Sequence, residues 1–172
     1  SPDGTRVVYQ ALGQLWLKRL PDGAPRRLTK DSDLVEFDPA WSRDGKRIAY
    51  ATWNDTELGA IRVISAAGGK GRVVPLDKGH YREPGFGPSG RVLVYRKGAG
   101  GWLRSPLWSS EPGLYRLDLK TQQAQRIVKS GMRPHFGAAE DRLFYLNWEE
   151  KKQTLSSVHL ETRETQVHAE SE

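Results

Sequence analysis

The chain has 172 residues, 37% of them hydrophobic, with 27 basic and 21 acidic side chains that leave a formal net charge of +6; that is long enough and apolar enough for one domain with a sizeable core. It contains no cysteine, which excludes disulfide scaffolds, thiolate metal sites and cysteine nucleophiles, and no apolar run approaches the roughly 18 residues of a membrane-spanning helix. The basic residues are scattered among acids, with pairs such as Arg26-Arg27, Lys46-Arg47 and Lys151-Lys152 at turns and strand edges, so they describe a solvated surface and no nucleic-acid partner is expected.

Taken in order, residues 1–29 predict a turn at Ser1-Pro2-Asp3-Gly4, a strand at Arg6–Tyr9, a short connection at Ala11–Gln14 and a second strand at Leu15–Leu20. Pro21-Asp22-Gly23 turns the chain into a third strand at Arg26–Thr29, and Lys30–Glu36 is a polar connection. The unit lacks an innermost strand, which is expected just before Ser1. Residues 30–75 form a complete unit with strands at Phe37–Trp41, Arg47–Thr52, Ile61–Ala66 and Arg72–Pro75. Apolar residues stand at consecutive positions in Ile48-Ala49-Tyr50, which predicts burial on both faces of the sheet.

Residues 76–128 form a third unit with strands near Glu83–Phe86, Val92–Arg96, Gly113–Leu119 and Gln125–Val128. Within it, the 97–112 connection is long and rich in Gly, Ser, Pro and tryptophan, and loops of that length in a compact domain are functional or mobile. Residues 129–172 form a fourth, with strands at Pro134–Phe136, Arg142–Asn147, Leu155–Leu160 and Thr165–His168, followed by the start of a linker.

The units share one signature. Asp38-Pro39-Ala40-Trp41-Ser42-Arg43-Asp44-Gly45-Lys46-Arg47-Ile48-Ala49-Tyr50 joins an aromatic anchor to a tight turn and an apolar strand. Gly45 supplies the positive φ that such a turn needs, and Asp44 can accept from nearby amides. The stretch recurs whole at Glu83–Tyr95, in its second half at Ser1–Tyr9, and in decayed form at Arg133–Tyr145, where Ala139-Glu140-Asp141 replaces the Asp-Gly turn. Aligned on Tyr9, Tyr50, Tyr95 and Tyr145, the period is 41 to 50 residues. Strand-type units at this spacing are propeller blades, so the predicted fold is all-β, a partial β-propeller of about four four-stranded blades. All four units belong to one propeller domain. Trp41, Phe86 and Phe136 are expected at equivalent buried positions between blades. Val7, Trp16, Leu143 and Val158 are expected on the flat outer faces of the first and last blades, where a second copy could dock and give a homo-oligomer.

The search for catalytic chemistry returns little. His80, His135, His159 and His168 include no metal-binding pair, and no Gly-x-Ser-x-Gly elbow is present. Asp31, Asp33, Glu36 and Asp38 lack the spacing and glycine of a helix-loop-helix calcium site. Gly98–Gly101 has no following Lys-Ser/Thr and so does not read as a phosphate loop. No catalytic residue, cofactor or metal ligand is assigned to the chain, which leaves binding. In a propeller the connections between strands two and three, and between blades, emerge on one face. That face is expected to gather His80, Tyr81, Arg82, Trp102, Arg104, Trp108, Lys129, Arg133 and His135. Tryptophan and arginine are the residue types that anchor interfaces; the alternative is that Trp102 and Trp108 fold back onto their own blade.

The Trp/Phe-Ser-x-Asp-Gly-x-Arg-apolar-Ala/Val-Tyr pattern resembles the β-propeller repeat of the TolB-like family, related to WD-repeat propellers. Ala11–Trp16, Phe37–Trp41 and Gly100–Trp108 further resemble the propeller that precedes a hydrolase barrel in metal-dependent amidohydrolases. The resemblance implies a periplasmic or secreted protein. It implies a non-catalytic binding or scaffold module whose partner is another protein or a covalently linked hydrolase domain, with metal ions only in that domain. A stand-alone periplasmic interaction propeller is the alternative, and an enzyme using the central channel a third reading.

Overall fold

Residues 1–30, 33–99, 111–149 and 152–171 are described by the computed structural model; they form fifteen β-strands and no helix. The first sheet holds β1 (Arg6–Ala11), β2 (Gln14–Arg19) and β3 (Arg26–Arg27). The second holds β4 (Val35–Trp41), β5 (Arg47–Asn54), β6 (Leu58–Ser65) and β7 (Arg72–Val73). In the third are β8 (His80–Phe86), β9 (Val92–Gly98), β10 (Gly113–Asp118) and β11 (Ala124–Val128). The fourth comprises β12 (Met132–Phe136), β13 (Arg142–Glu149), β14 (Lys152–His159) and β15 (Thr165–Glu170). Every sheet is an antiparallel meander with its strands in chain order, the all-β arrangement that the repeat predicts, and the first sheet has three strands instead of four.

The sheets stack because their middle strands are apolar on both sides. In β5, Ile48 and Tyr50 face the first sheet and join Leu15, Leu17 and Leu28, while Ala49 faces the third sheet. In β9, Leu93 and Tyr95 face the second sheet and Val92 and Val94 the fourth, where Phe136, Leu143, Tyr145 and Val158 meet them. Three cores thus lie between four sheets. Burying each Leu or Ile here contributes about 1.5–3 kcal/mol, and β5 and β9 carry consecutive buried residues because neither middle sheet has a wet face.

The turn that leads into the repeat-tyrosine strand is built as its sequence requires. Arg47 N donates to Ser42 Oγ (2.9 Å) and Lys46 N to Asp44 Oδ1 (3.0 Å), with Gly45 at φ 66°. Ser1 and Asp3 hold Arg6 N (2.9 Å) and Thr5 N (3.1 Å) in the same way. The Ser42 hydroxyl and the Lys46 amide keep the Asp44 carboxyl below the usual carboxylate range.

From this turn each of the first two sheets reaches the next. The Arg6 guanidinium lies 4.7 Å over the Trp41 ring and donates to Gly45 O (3.1 Å); that of Arg47 lies 5.0 Å over Phe86 and donates to Gly90 O (2.6 Å). Such cation–π contacts contribute about 0.5–1 kcal/mol each where exposed. The same repeat position is Val92 in the third sheet, and there the connection runs backwards: Glu140 Oε1 accepts from Ser89 N (2.7 Å) and Ser89 Oγ (2.6 Å).

Two packing expectations change. Phe86 and Phe136 are buried, but Trp41 is only half-buried against its core. Leu143 and Val158, expected on the outer face of the last sheet, are buried against the third sheet. Side chains alternate along a strand, and the outer face carries their neighbours: Phe144 stacks with His135 (5.8 Å) and packs tilted against His168 (5.4 Å).

Candidate functional site

Each inner strand carries an X-Pro pair three residues before its aromatic anchor: Asp38-Pro39, Glu83-Pro84 and Arg133-Pro134. The first residue of each pair has a positive φ (51°, 54° and 52°), and the strand ladder slips there. A bulge of this kind turns a side chain out of the alternating pattern. A left-handed backbone at a non-glycine residue costs about 1–3 kcal/mol and persists only where surrounding bonds over-determine it.

Those bonds cross from sheet to sheet. Asp38 Oδ2 accepts from Glu83 N (2.9 Å), and Glu83 Oε2 accepts from Arg133 N (2.6 Å). Each bulged carboxylate therefore holds the bulged amide of the next sheet. Two arginines close the arrangement: Arg82 donates to both Asp38 oxygens (2.7 and 3.3 Å), and Arg96 to both Glu83 oxygens (3.1 and 3.3 Å). Burial opposes the Asp38 charge, but the Arg82 and Glu83 N–H donors outweigh it and hold its carboxyl below the ordinary range. The hydrogen bond to Asp38 in turn raises the Arg82 guanidinium.

Beside this ladder lies a recess of about 420 Å³, lined by Phe37, Trp53, His80, Arg82 and Arg96 among others. Trp53, at the end of β5, stacks on His80, at the start of β8, with ring centroids 4.5 Å apart. The guanidinium of Arg82 lies 5.0 Å over Phe37. Apolar surface continues along the same end of the strands: Val35 is 48% exposed and Leu12, at the tip of the β1–β2 hairpin, 94%. The two lie next to each other because Glu36 N donates to Gly13 O (2.9 Å).

Of the residues expected on this face, His80 and Arg82 are brought together in the recess. Tyr81 contributes to its wall but is 3% exposed; burial and Asp77 push its hydroxyl up to about 12, and it donates to Asp77 O. Arg133 has its amide on Glu83 and its side chain exposed at the bulge. His135 is on the outer face of the fourth sheet against Phe144, apart from the recess. Trp102, Arg104 and Trp108 lie outside the described residues. The acidic run before β4 does not converge. Glu36 is fully buried and accepts from Leu15 N (3.0 Å) and Thr29 Oγ1 (2.6 Å) of the first sheet, whereas Asp38 faces the third. Among the described residues no three His, Asp or Glu side chains are grouped to hold a metal.

Sequence reasoning did not single out Phe37, Trp53, Asp38, Glu83 or Arg96 as site residues. The signals were present: a repeated X-Pro with acidic X in two units, and a large apolar residue three places after the repeat tyrosine at Leu12, Trp53 and Trp148.

No family model matches the chain. Its curated relatives include the Tol-Pal system protein TolB of Francisella tularensis strains SCHU S4 and LVS, each 27% identical over 90 residues. That match covers 52% of this chain and 19% of theirs, so the chain spans about a fifth of the length of these relatives. Among solved structures, TolB from Acinetobacter baumannii superposes with a TM-score of 0.74 at 16% identity, over 96% of this chain and 41% of that one. An oligogalacturonate lyase in complex with manganese gives 0.75 at 11% identity, over 99% and 52%. The amidohydrolase likeness finds no support among these relatives. The stacked meander sheets, the tandem aromatic–turn–strand repeat and these relatives together show that the chain has a β-propeller fold similar to that of TolB.

Proposed function

We propose that this chain is a non-catalytic binding module that takes an apolar, acidic segment of a protein partner on the Leu12–Val35–Trp53–His80 side of its propeller. The observation that carries the reading is the pairing of exposed apolar surface with an aromatic recess whose carboxylates are already engaged. Asp38 and Glu83 are held by Arg82, Arg96 and two backbone amides, which suits fixed electrostatics better than proton transfer. The Lys, Arg, Asp and Glu side chains that line the recess itself are two arginines, Arg82 and Arg96, while Asp38 and Glu83 are bound to them and Asp55 accepts from Trp53 Nε1 (3.1 Å) at its edge. Complementarity therefore favours an acidic partner, and Trp53 is the anchor type that interfaces use.

The name Tol-Pal system, which the curated relatives carry, supplies the first partners to try. Purified Tol and Pal proteins from the same cell are titrated against the immobilised chain. Binding by at least one of them is expected, weakened about tenfold or more by Trp53→Ala, a hot-spot loss of about 1.4 kcal/mol or above. Absence of binding by every component, or binding indifferent to Trp53→Ala and Leu12→Ser, overturns the reading. A covalently linked hydrolase domain is the other partner for which the same variants test. The isolated chain is expected to give no amidohydrolase turnover with or without zinc; metal-dependent turnover lost on changing one of its four histidines would show that the module is itself an enzyme.

A further inference from the structure

At the opposite ends of the same strands, between the first and second sheets, lies a second recess of about 510 Å³. Its charged lining is three arginines: Arg6 at the start of β1, Arg19 at the end of β2 and Arg26 at the start of β3. The remaining wall is Leu17, Gly23, Ala24, Ala66 and Ala67, so no carboxylate lines it. We propose that this recess is a binding site for a multiply charged oxyanion, taken by the guanidinium forks of Arg19 and Arg26 with Arg6 behind them.

The argument is electrostatic and geometric. Guanidinium groups match carboxylate and phosphate oxygens in bidentate geometry. Here two of the three are positioned by neutral partners. Arg6 donates to Gly45 O (3.1 Å) and lies over Trp41; Arg26 donates to Ala67 O (3.1 Å). Each contact fixes the direction of the fork and uses one carbonyl, so further N–H groups remain available to a ligand. Asp3 lies within electrostatic reach of Arg6, but no acid lines the recess. Asp3 accepts from Ser1 Oγ, Thr5 N and Thr5 Oγ1 inside its own turn, and Asp22 stands in the β2–β3 turn outside the lining residues. Gathering like charges around a recess costs energy in the free chain, and a bound anion recovers it.

Pyrophosphate and citrate distinguish a phosphate ligand from a polycarboxylate. Each is titrated into the full chain at 0.15 M salt, with the arginine Nε–H resonances followed by NMR. Saturable shifts confined to Arg6, Arg19 and Arg26 are expected, with one of the two anions binding more tightly. Arg19→Gln and Arg26→Gln are each expected to weaken binding about five- to tenfold, while Lys120→Gln, on an exposed turn of the third sheet, leaves it unchanged. Arg19 and Arg26 are exposed, so these variants fold, and circular dichroism verifies that they do. Absence of saturation up to about 10 mM of either anion, equal losses in Lys120→Gln, or shifts spread over every surface cation would each overturn the assignment.

Discussion

The junction between the second and third sheets and that between the third and fourth solve one problem in two ways. Near the recess both use a bulged carboxylate that reaches forward, Asp38 to the Glu83 amide and Glu83 to the Arg133 amide. At the other end the first junction sends Arg47 forward onto Phe86 and Gly90 O, whereas the second sends Glu140 back onto Ser89. Where Arg47 gives way to Val92, an apolar contact with the Phe136 core takes over part of its work. The carboxylate at the bulge is kept across both junctions, while the turn-side connection can change its chemistry and even its direction. What is preserved is a carboxylate on the bulge amide of the next sheet, part-buried at Glu83 and exposed at Arg133, where the left-handed backbone needs a fixed partner; the turn amide at Ser89 takes its partner from the opposite direction.

Truncating the aromatic anchors tests this contrast at its largest. Phe86→Ala and Phe136→Ala should each lower stability by about 3–5 kcal/mol, as for other large core deletions. Phe86→Ala should cost about 0.5–1 kcal/mol more because it also strips the ring from Arg47. Trp41→Ala, at a half-buried ring, should cost less than either. Urea unfolding midpoints give the order directly, and equal midpoints for Phe86→Ala and Phe136→Ala would remove the distinction between the junctions.

A smaller effect is expected at the bulge. Asp38→Asn loses a charge-assisted pair with Arg82 and weakens the bond to the Glu83 amide, worth about 1–3 kcal/mol at neutral pH. Its folded-state carboxyl lies below the unfolded value of about 3.9. The stabilisation is therefore complete above that value and disappears as pH falls through the lower folded one. The gap between parent and Asp38→Asn should be constant from pH 7 to about pH 5 and close below pH 4. A gap that persists unchanged at pH 2 would mean that Asp38 acts by shape alone.

The smallest change belongs to the reversed connection. Glu140→Ala removes two hydrogen bonds to Ser89 at an exposed rim and should cost about 0.5–1.5 kcal/mol. A larger loss than that of Asp38→Asn would invert the ranking of bulge over turn.

The architecture was legible because its determinants are local and repeated. Gly45 and Gly90 mark the turns, tyrosines at 50, 95 and 145 mark the second strand of their sheets and Tyr9 the first strand of the three-stranded one, and consecutive apolar residues in β5 and β9 announce two buried faces. Strand ends were less legible. β8 begins at His80 and not at Glu83, because the ladder continues past a bulge where a carboxylate precedes proline. The site was half legible for the same reason. His80 and Arg82 could be placed at the start of an inner strand, but their partners Trp53, Phe37 and Asp38 come from another sheet. No spacing within one repeat specifies which residue of the next repeat it will touch.

The forward-reaching carboxylates also give the stack of sheets a polarity, like the head-to-tail linkage of a polymer. Asp38 offers an acceptor to whatever bulged amide follows, and Glu83 receives and offers in the same fashion. A copy of the second sheet spliced between the second and third would find both of its ends chemically matched, so growth by internal duplication is compatible with this part of the chain. Arg133 reverses the sign at the equivalent place. A sheet set against the fourth meets a cation where the series supplies an acceptor, and duplication there would leave a bulge amide without its carboxylate.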